Sequence, residues 1–231
     1  MIRADHLCKT YAMGTPQETA VLKDASVTFD DGVFYAIIGK SGSGKSTLLN
    51  LLSGLDTPDS GQVYWDEQEL SGLSRRERAI LRRRTSGYIF QSYNLLGEHT
   101  VWENIIMPYI LDGKRPDRGH IMSIADMLGI GSMMDKYPNQ LSGGEQQRVA
   151  IARAVSHAPK VVFADEPTGN LYPKTGEKTI ELLKQTVTGL GSTLILVTHD
   201  LSIAERADQV VRVAQGTVLQ EGQTPGGAET R

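Results

Sequence analysis

VFYAIIGKSGSGKSTLLNLLSG (Val33–Gly54) runs from an unbroken apolar segment, through a loop of glycine, serine and lysine, into a segment of strong helix formers. A continuous run such as VFYAII suits a strand covered on both faces, as in sheets packed between other layers. KSTLLNLLSG reads as a helix closed by Gly54. The loop, Gly39, Lys40, Ser41, Gly42, Ser43, Gly44, Lys45, Ser46 and Thr47, fits G-x-x-x-x-G-K-[ST] in the strand–loop–helix setting that gives this pattern a physical meaning. Gly42 and Gly44 let backbone N–H groups turn inward around an anion with no Cβ in the way. The helix N-terminus adds its positive end, and Lys45 can reach outer phosphates. Ser46 is then the candidate magnesium ligand. A plain Gly/Ser-rich linker would not need the whole pattern.

A phosphate cradle leaves the reaction open, and a second apolar run narrows it. VVFADE (Val161–Glu166) carries two carboxylates to the C-terminal end of a buried strand, the edge of an open α/β sheet where ligands bind. Asp165 suits magnesium, directly or through water, and Glu166 suits the polarisation of an attacking water beside an outer phosphate. STLILVTHD (Ser192–Asp200) is a further buried run, and His199 at its end could contact the same phosphate or orient that water. Without the phosphate loop, a strand-end Asp-Glu reads as a solvated cap and a lone histidine as structural.

Around these runs, short extended segments alternate with helical ones and no repeat is visible. IRADHLCKTY and AVLKDASVTF read as strands, GQVYWDEQEL as another, and QVVRVAQGTVLQEG as a hairpin. Residues from about 95 to 157 carry mainly helical patterns, VWENIIMPYIL, HIMSIADMLG and EQQRVAIARAVSH, and read as a helical insert. A helix is predicted from about Pro173 to Leu190, with the proline in its first turn. RRERAILRRR (Arg75–Arg84) reads as a solvated helix face with long apolar stems. The expected organisation is one domain over 1–222 and a polar, glycine-rich tail over 223–231.

Composition restricts the functional classes. The 231 residues suffice for a sizeable core, and a formal net charge of -3 provides no general attraction to nucleic acid. Cys8 is the one cysteine, which removes an intrachain disulfide and a cysteine-based metal site and fits a reducing compartment. No apolar run approaches the roughly 18 to 20 residues that cross a bilayer, and the N-terminal charges do not suit a signal peptide. A cytoplasmic chain is expected, soluble or held peripherally by a partner.

LSGGEQQRVAIARA (Leu141–Ala154) opens a helix with Ser142 and Glu145 in capping-box spacing, and its glycines expose N–H groups at a second helix N-terminus. S-x-x-E alone would indicate only an ordinary capped helix. Lying between the phosphate loop and the Asp-Glu strand end, LSGGEQQ resembles the signature of ATP-binding-cassette (ABC) transporter ATPases, and the resemblance covers nearly the whole chain. It implies a P-loop NTPase fold of the α/β class: a mainly parallel sheet, an N-terminal antiparallel β portion and the helical insert. It implies ATP and magnesium as ligands, with hydrolysis by a head-to-tail pair of cassettes, each site completed by Ser142, Gly143, Gly144 and Glu145 of the opposite subunit. Tyr11 matches the aromatic residue that stacks on adenine in that family. Gln91 matches the glutamine that touches magnesium and the attacking water and reports to the helical insert.

SGSGKSTLLNLLSGLDTPDSG, FQSYNLL, ENIIMP and ADEPTGNL are similar to the subfamily of lipoprotein-release, macrolide-export and antimicrobial-peptide-resistance transporters. This implies an ATP-hydrolysing motor subunit, a homodimer in the family's manner, held at the inner face of the membrane by an integral permease gripped through Ser92–Asp112. A soluble cassette acting on nucleic acid, or a regulatory cassette that hydrolyses ATP weakly, is the alternative. One residue departs from the family pattern: Tyr172 stands where an aspartate usually follows the leucine after DEPT.

Overall fold

The computed structural model describes residues 1–220, so the tail expected at 223–231 lies outside the described residues. In chain order the elements are β1 (Ile2–Tyr11), β2 (Thr19–Phe29), β3 (Phe34–Ile38), α1 (Lys45–Leu52), β4 (Ser60–Trp65), β5 (Gln68–Glu69), α2 (Arg75–Thr85) and β6 (Ser86–Ile89). They continue with α3 (Val101–Asp112), α4 (Arg118–Met127), α5 (Gly143–Val155), β7 (Val161–Asp165), α6 (Pro173–Gly189), β8 (Thr193–Val197), α7 (Leu201–Ala204), β9 (Gln209–Ala214) and β10 (Thr217–Gln220). Two 3-10 turns, Gly131–Met133 and Pro138–Gln140, separate α4 from α5.

Six strands form one sheet in the order β10-β9-β3-β8-β7-β6, parallel except for the β9–β10 hairpin. Their apolar runs are continuous because both faces are covered. Along β7, Val162 and Ala164 join one core cluster while Val161 and Phe163 join the other. Along β8, Leu194 and Leu196 face the first and Ile195 and Val197 the second. The first cluster packs α3, α4, α5 and α6 on one side of the sheet. The second packs α1 and the antiparallel sheet β2-β1-β4-β5 on the other.

The fold class follows the sequence expectation, with three local differences. GQVYWDEQEL is two strands, not one: Asp66 takes a left-handed φ of 54° and turns the chain back, so that Trp65 pairs with Gln68. SGYI (Ser86–Ile89), not foreseen as a strand, forms the edge strand β6 by pairing in parallel with β7. The arginine run of α2 is not simply solvated. Arg82 donates to the Gly54 carbonyl at 2.6 Å and Arg78 to the Thr57 hydroxyl at 2.9 Å. Arg83, Arg84 and Lys114 converge on Asp112, at 3.0, 2.7 and 2.8 Å, at the end of α3.

Candidate active site

Parallel pairing brings the C-terminal ends of β3, β8, β7 and β6 to one edge of the sheet. Asp165 is level with Val197 on β8, and Val197 with Ile37 on β3. The segments just beyond these residues are therefore neighbours: the glycine-rich loop after β3, Thr198 and His199 after β8, Glu166 after β7 and Gln91 after β6.

Gly39 and Gly44 have no room for a side chain. A Cβ at Gly39 would run into the Val213 carbonyl oxygen, and Gly44, at φ 104°, would place one 3.0 Å from the Val21 carbonyl oxygen. Gly44 is also the N-cap of α1 and has no side-chain cap, so the first N–H groups of the helix remain available to an anion. A cleft of about 250 Å³ lies over Gly42, Gly44, Lys45, Ser46 and Thr47. Lys45 is buried, its ammonium donating to the Gly39 and Lys40 carbonyls at 3.0 and 3.2 Å. An incoming phosphate would exchange these carbonyl contacts for a stronger ionic one.

Ser46 donates its hydroxyl to Asp165 at 2.9 Å. Burial raises the Asp165 carboxyl above the usual range, with the negative charge of Glu166 in the same direction and the Ser46 bond and Lys45 opposing it. The oxygen spacing fits two adjacent ligands of an octahedral magnesium ion, since right-angled bonds of about 2.1 Å place their ends about 3 Å apart. Among the described residues there is no group of three or more His, Cys, Asp or Glu able to hold a metal. A metal at Asp165 therefore needs oxygens from substrate and water, the habit of magnesium.

Glu166 takes a left-handed φ of 44°, uncommon for a residue with a side chain. Its N–H bonds the Val197 carbonyl and its carbonyl accepts from Gly169, both at 3.0 Å, which hold the kink. Its carboxylate lies 2.9 Å from Nδ1 of His199. With the carboxylate ionised, Nδ1–H donates to it and Nε2 is left as the second site of the ring. A cleft of about 220 Å³ beside this pair is bounded by Thr168, Gly169, Leu171, Glu177, His199 and Asp200.

Gln91 is held above Gly169, where any Cβ would meet its amide nitrogen at 2.7 Å, and Asn170 donates its amide to the Gln91 carbonyl at 2.9 Å. Tyr11 donates to Asp56 at 3.0 Å and neighbours Thr47 of the loop. Burial raises its phenol, partly offset by Thr47. The Lys9 ammonium stands 5.3 Å from the centre of its ring. Ser142 caps α5 in a capping box with Glu145, whose carboxylate accepts from the Ser142 N–H and hydroxyl, each at 2.7 Å. Gly143 and Gly144 pack against Tyr93, Leu171 and Thr175, whereas the phosphate loop packs against Val21, Asp165 and Val213. Tyr172 is 86% exposed immediately before α6.

The structure thus gathers Lys45, Ser46, Asp165, Glu166 and His199, adds Gln91 through Gly169, and sets Ser142–Glu145 against a different group of neighbours. Sequence reasoning missed Gly169 and Asn170 as supports of Gln91. Nothing in their spacing distinguishes them from ordinary loop residues.

Residues 22–169 match a family model described as ABC transporter. Over 222 residues the chain is 42% identical to the ABC transporter ATP-binding protein MJ1508 of Methanocaldococcus jannaschii, covering 95% of this chain and 98% of that protein. It is 44% identical over 218 residues to the lipoprotein-releasing system ATP-binding protein LolD of Xanthomonas campestris pv. campestris, covering 94% and 91%. A dimeric post-hydrolysis state of the ATP-binding cassette MJ0796 bound to ADP and Pi superimposes with a TM-score of 0.86 at 37% identity, covering 96% of this chain and 98% of that one.

Proposed function

The chain belongs to the ABC transporter family and is an ATP-hydrolysing cassette; from that premise we propose how its residues divide the work. The phosphate loop, Gly39 to Thr47, binds the β and γ phosphates through its N–H groups, and Lys45 carries the charge contact to the outermost ones. Tyr11 stacks on the adenine. Ser46 and Asp165, with Gln91 beside them, hold magnesium, which when bound neutralises charge building on the transferred phosphoryl group. Glu166 accepts a proton from water as that water's oxygen bonds to the γ phosphorus and the bond to the bridging oxygen breaks, with ADP leaving. His199 keeps the Glu166 carboxylate in place through Nδ1 and offers Nε2 to the γ phosphate.

The observation that carries this assignment is the adjacency, at one sheet edge, of the Ser46–Asp165 contact and the Glu166–His199 contact. The test is steady-state ATP turnover with and without magnesium chelation. Glu166→Gln is expected to lose turnover by about 100-fold or more with ATP binding kept, and Lys45→Ala to lose binding. Turnover of Glu166→Gln within a factor of two of the parent would assign the base elsewhere.

The signature residues Ser142 to Glu145 complete the site of a second copy. In support, they lie against neighbours different from those of the phosphate loop, and a similar cassette has been solved as a dimer with ADP and Pi. We further assign residues 1–222 to one cassette with 95–157 as its helical subdomain, and a membrane permease subunit as the partner that holds the chain at the inner face. No helix among the described residues is long and apolar enough to cross a membrane. Exposed Ile110 and Leu111 at the end of α3, beside a cleft lined by Met107, Pro108 and Arg83, suit a docked helix of that partner. Co-purification of one membrane protein that is lost on Leu111→Asp tests this assignment.

A further inference from the structure

We propose that Arg153 is a positioning residue for ATP hydrolysis: from α5 its guanidinium clamps the backbone just after Gln91 and so sets where Gln91 stands at the reacting edge of the sheet. The proposal rests on the reading of Gln91 given above.

Tyr93 and Asn94 are successive residues in the left-handed region, at φ 58° and 49°. Side chains make that conformation unfavourable, Asn less so than Tyr, so this turn needs support from its surroundings. Two successive helical residues of either hand direct their carbonyls the same way, and here they form a paired acceptor. Arg153 meets both: Nη1 donates to the Asn94 carbonyl at 2.6 Å and Nη2 to the Tyr93 carbonyl at 2.8 Å. A planar fork can hold two carbonyls at once, whereas the point charge of a lysine can favour only one.

The arginine has no competing partner. Among the described residues no carboxylate lies within ion-pair distance of it, and burial draws its guanidinium below the usual range. Withdrawal of the turn would therefore leave a partly buried cation without acceptors, which favours the single position in which the fork is filled. On the other side Gln91 is restrained by the Asn170 amide on its carbonyl and by the bare Cα of Gly169 beneath its side chain. The Tyr93 hydroxyl also fills the space over Gly143 that a Cβ would need. Gln91 is thus held between α5, which begins with the signature glycines, and the segment that leads from Glu166 to α6. A shift of α5 against the sheet would be transmitted to Gln91 through the fork.

The experiment is a double-mutant cycle on the full chain: the parent, Arg153→Lys, Gln91→Ala and the double variant. ATP turnover is measured against ATP concentration, with nucleotide binding and thermal melting measured alongside. Arg153→Lys is expected to lower kcat about tenfold, within the roughly 100-fold that a displacement of about 1 Å can produce, with KM within about twofold. In the Gln91→Ala background the same lysine is expected to change kcat by less than about twofold, because there is no longer a glutamine to misplace. Equal losses in both backgrounds would overturn the proposal and make Arg153 a purely structural residue. An unchanged kcat in Gln91→Ala alone would overturn the reading of Gln91 itself, and this proposal with it. If Arg153→Lys melts before assay, Arg153→Gln, which keeps one donor and loses the fork, takes its place in the cycle with the same expected pattern, and equal losses in both backgrounds again overturn the proposal.

Discussion

Asp165 lies at the end of β7 with its carboxyl raised by burial, so the folded protein binds a proton there more tightly than the unfolded chain does. Stability then falls as pH rises from the ordinary carboxylate value through the raised one, and below the ordinary value the residue makes no difference. Asp165→Asn should accordingly melt higher than the parent at pH 7 without nucleotide or magnesium, and the gap should close as the pH is lowered below about 4. Melting curves across that range check the sign, and an asparagine variant that melts lower at pH 7 would contradict it. At Tyr11 the issue is affinity. The residue is 41% exposed and its hydroxyl is tied to Asp56, so the ring is oriented before any base arrives. Tyr11→Ala should weaken ATP binding by about tenfold, equivalent to a stacking loss of about 1.4 kcal/mol, and alter discrimination among bases little. A binding titration that finds unchanged affinity would return Tyr11 to a structural role.

Between elements, the joint of α2 and α3 depends on one carboxylate. Asp112 has a side chain only 5% exposed, and Lys114 and Arg84 hold its carboxyl well below the usual range. A depressed folded value means stability that is present above the ordinary carboxylate pKa and is lost as pH falls toward the depressed one. Asp112→Asn should therefore melt below the parent at pH 7, the more so at low salt, because Arg83, Arg84 and Lys114 would then face one another unscreened. The difference should narrow in acid. The same α3 begins with a capping box, Thr100 accepting from the Glu103 N–H while Glu103 accepts from the Thr100 N–H. Thr100→Ala is expected to cost about 1 kcal/mol in a denaturant titration. Both joints carry weight because α3 packs on α5, which is capped by Ser142 of the signature and carries Arg153 of the clamp.

For the whole molecule, the informative position is Tyr172. A phenol is not the carboxylate that an aspartate would place there, so Tyr172 does not supply that fixed negative charge. Since Lys45, Ser46, Asp165, Glu166 and His199 stand together without it, the expected result is an active ATPase whose two sites are coupled differently. Turnover and cooperativity of Tyr172→Asp against the parent test this. A nearly inactive parent rescued by the aspartate would instead indicate a regulatory cassette. Assembly has its own test: with Glu166→Gln, ATP is bound and not consumed, so sizing chromatography should show a nucleotide-dependent dimer. A variant that binds ATP yet remains monomeric at high concentration would count against a site shared by two chains.

The sequence by itself determined what is local. VFYAII, VVFAD and TLILV could be read as buried strands because each is short, apolar and bounded by turn residues, and GKSGSGKST because a phosphate cradle needs its glycines and lysine at fixed spacing along one loop. LSGGE could be read as a capped helix start for the same reason. Tertiary structure decided what depends on pairing partners far along the chain. SGYI is too short to declare itself and is a strand only because β7 pairs with it. The order of β6, β7, β8 and β3 sets Gln91, Glu166, His199 and the loop side by side, although residues 39 to 199 are spread through most of the chain. Arg153 has no local signal at all: an arginine on a helix gains its meaning only when two carbonyls, about 60 residues earlier, turn toward it. Spacing along the chain encodes what one segment can bind, whereas the relative placement of segments is set by which apolar faces the whole chain buries together.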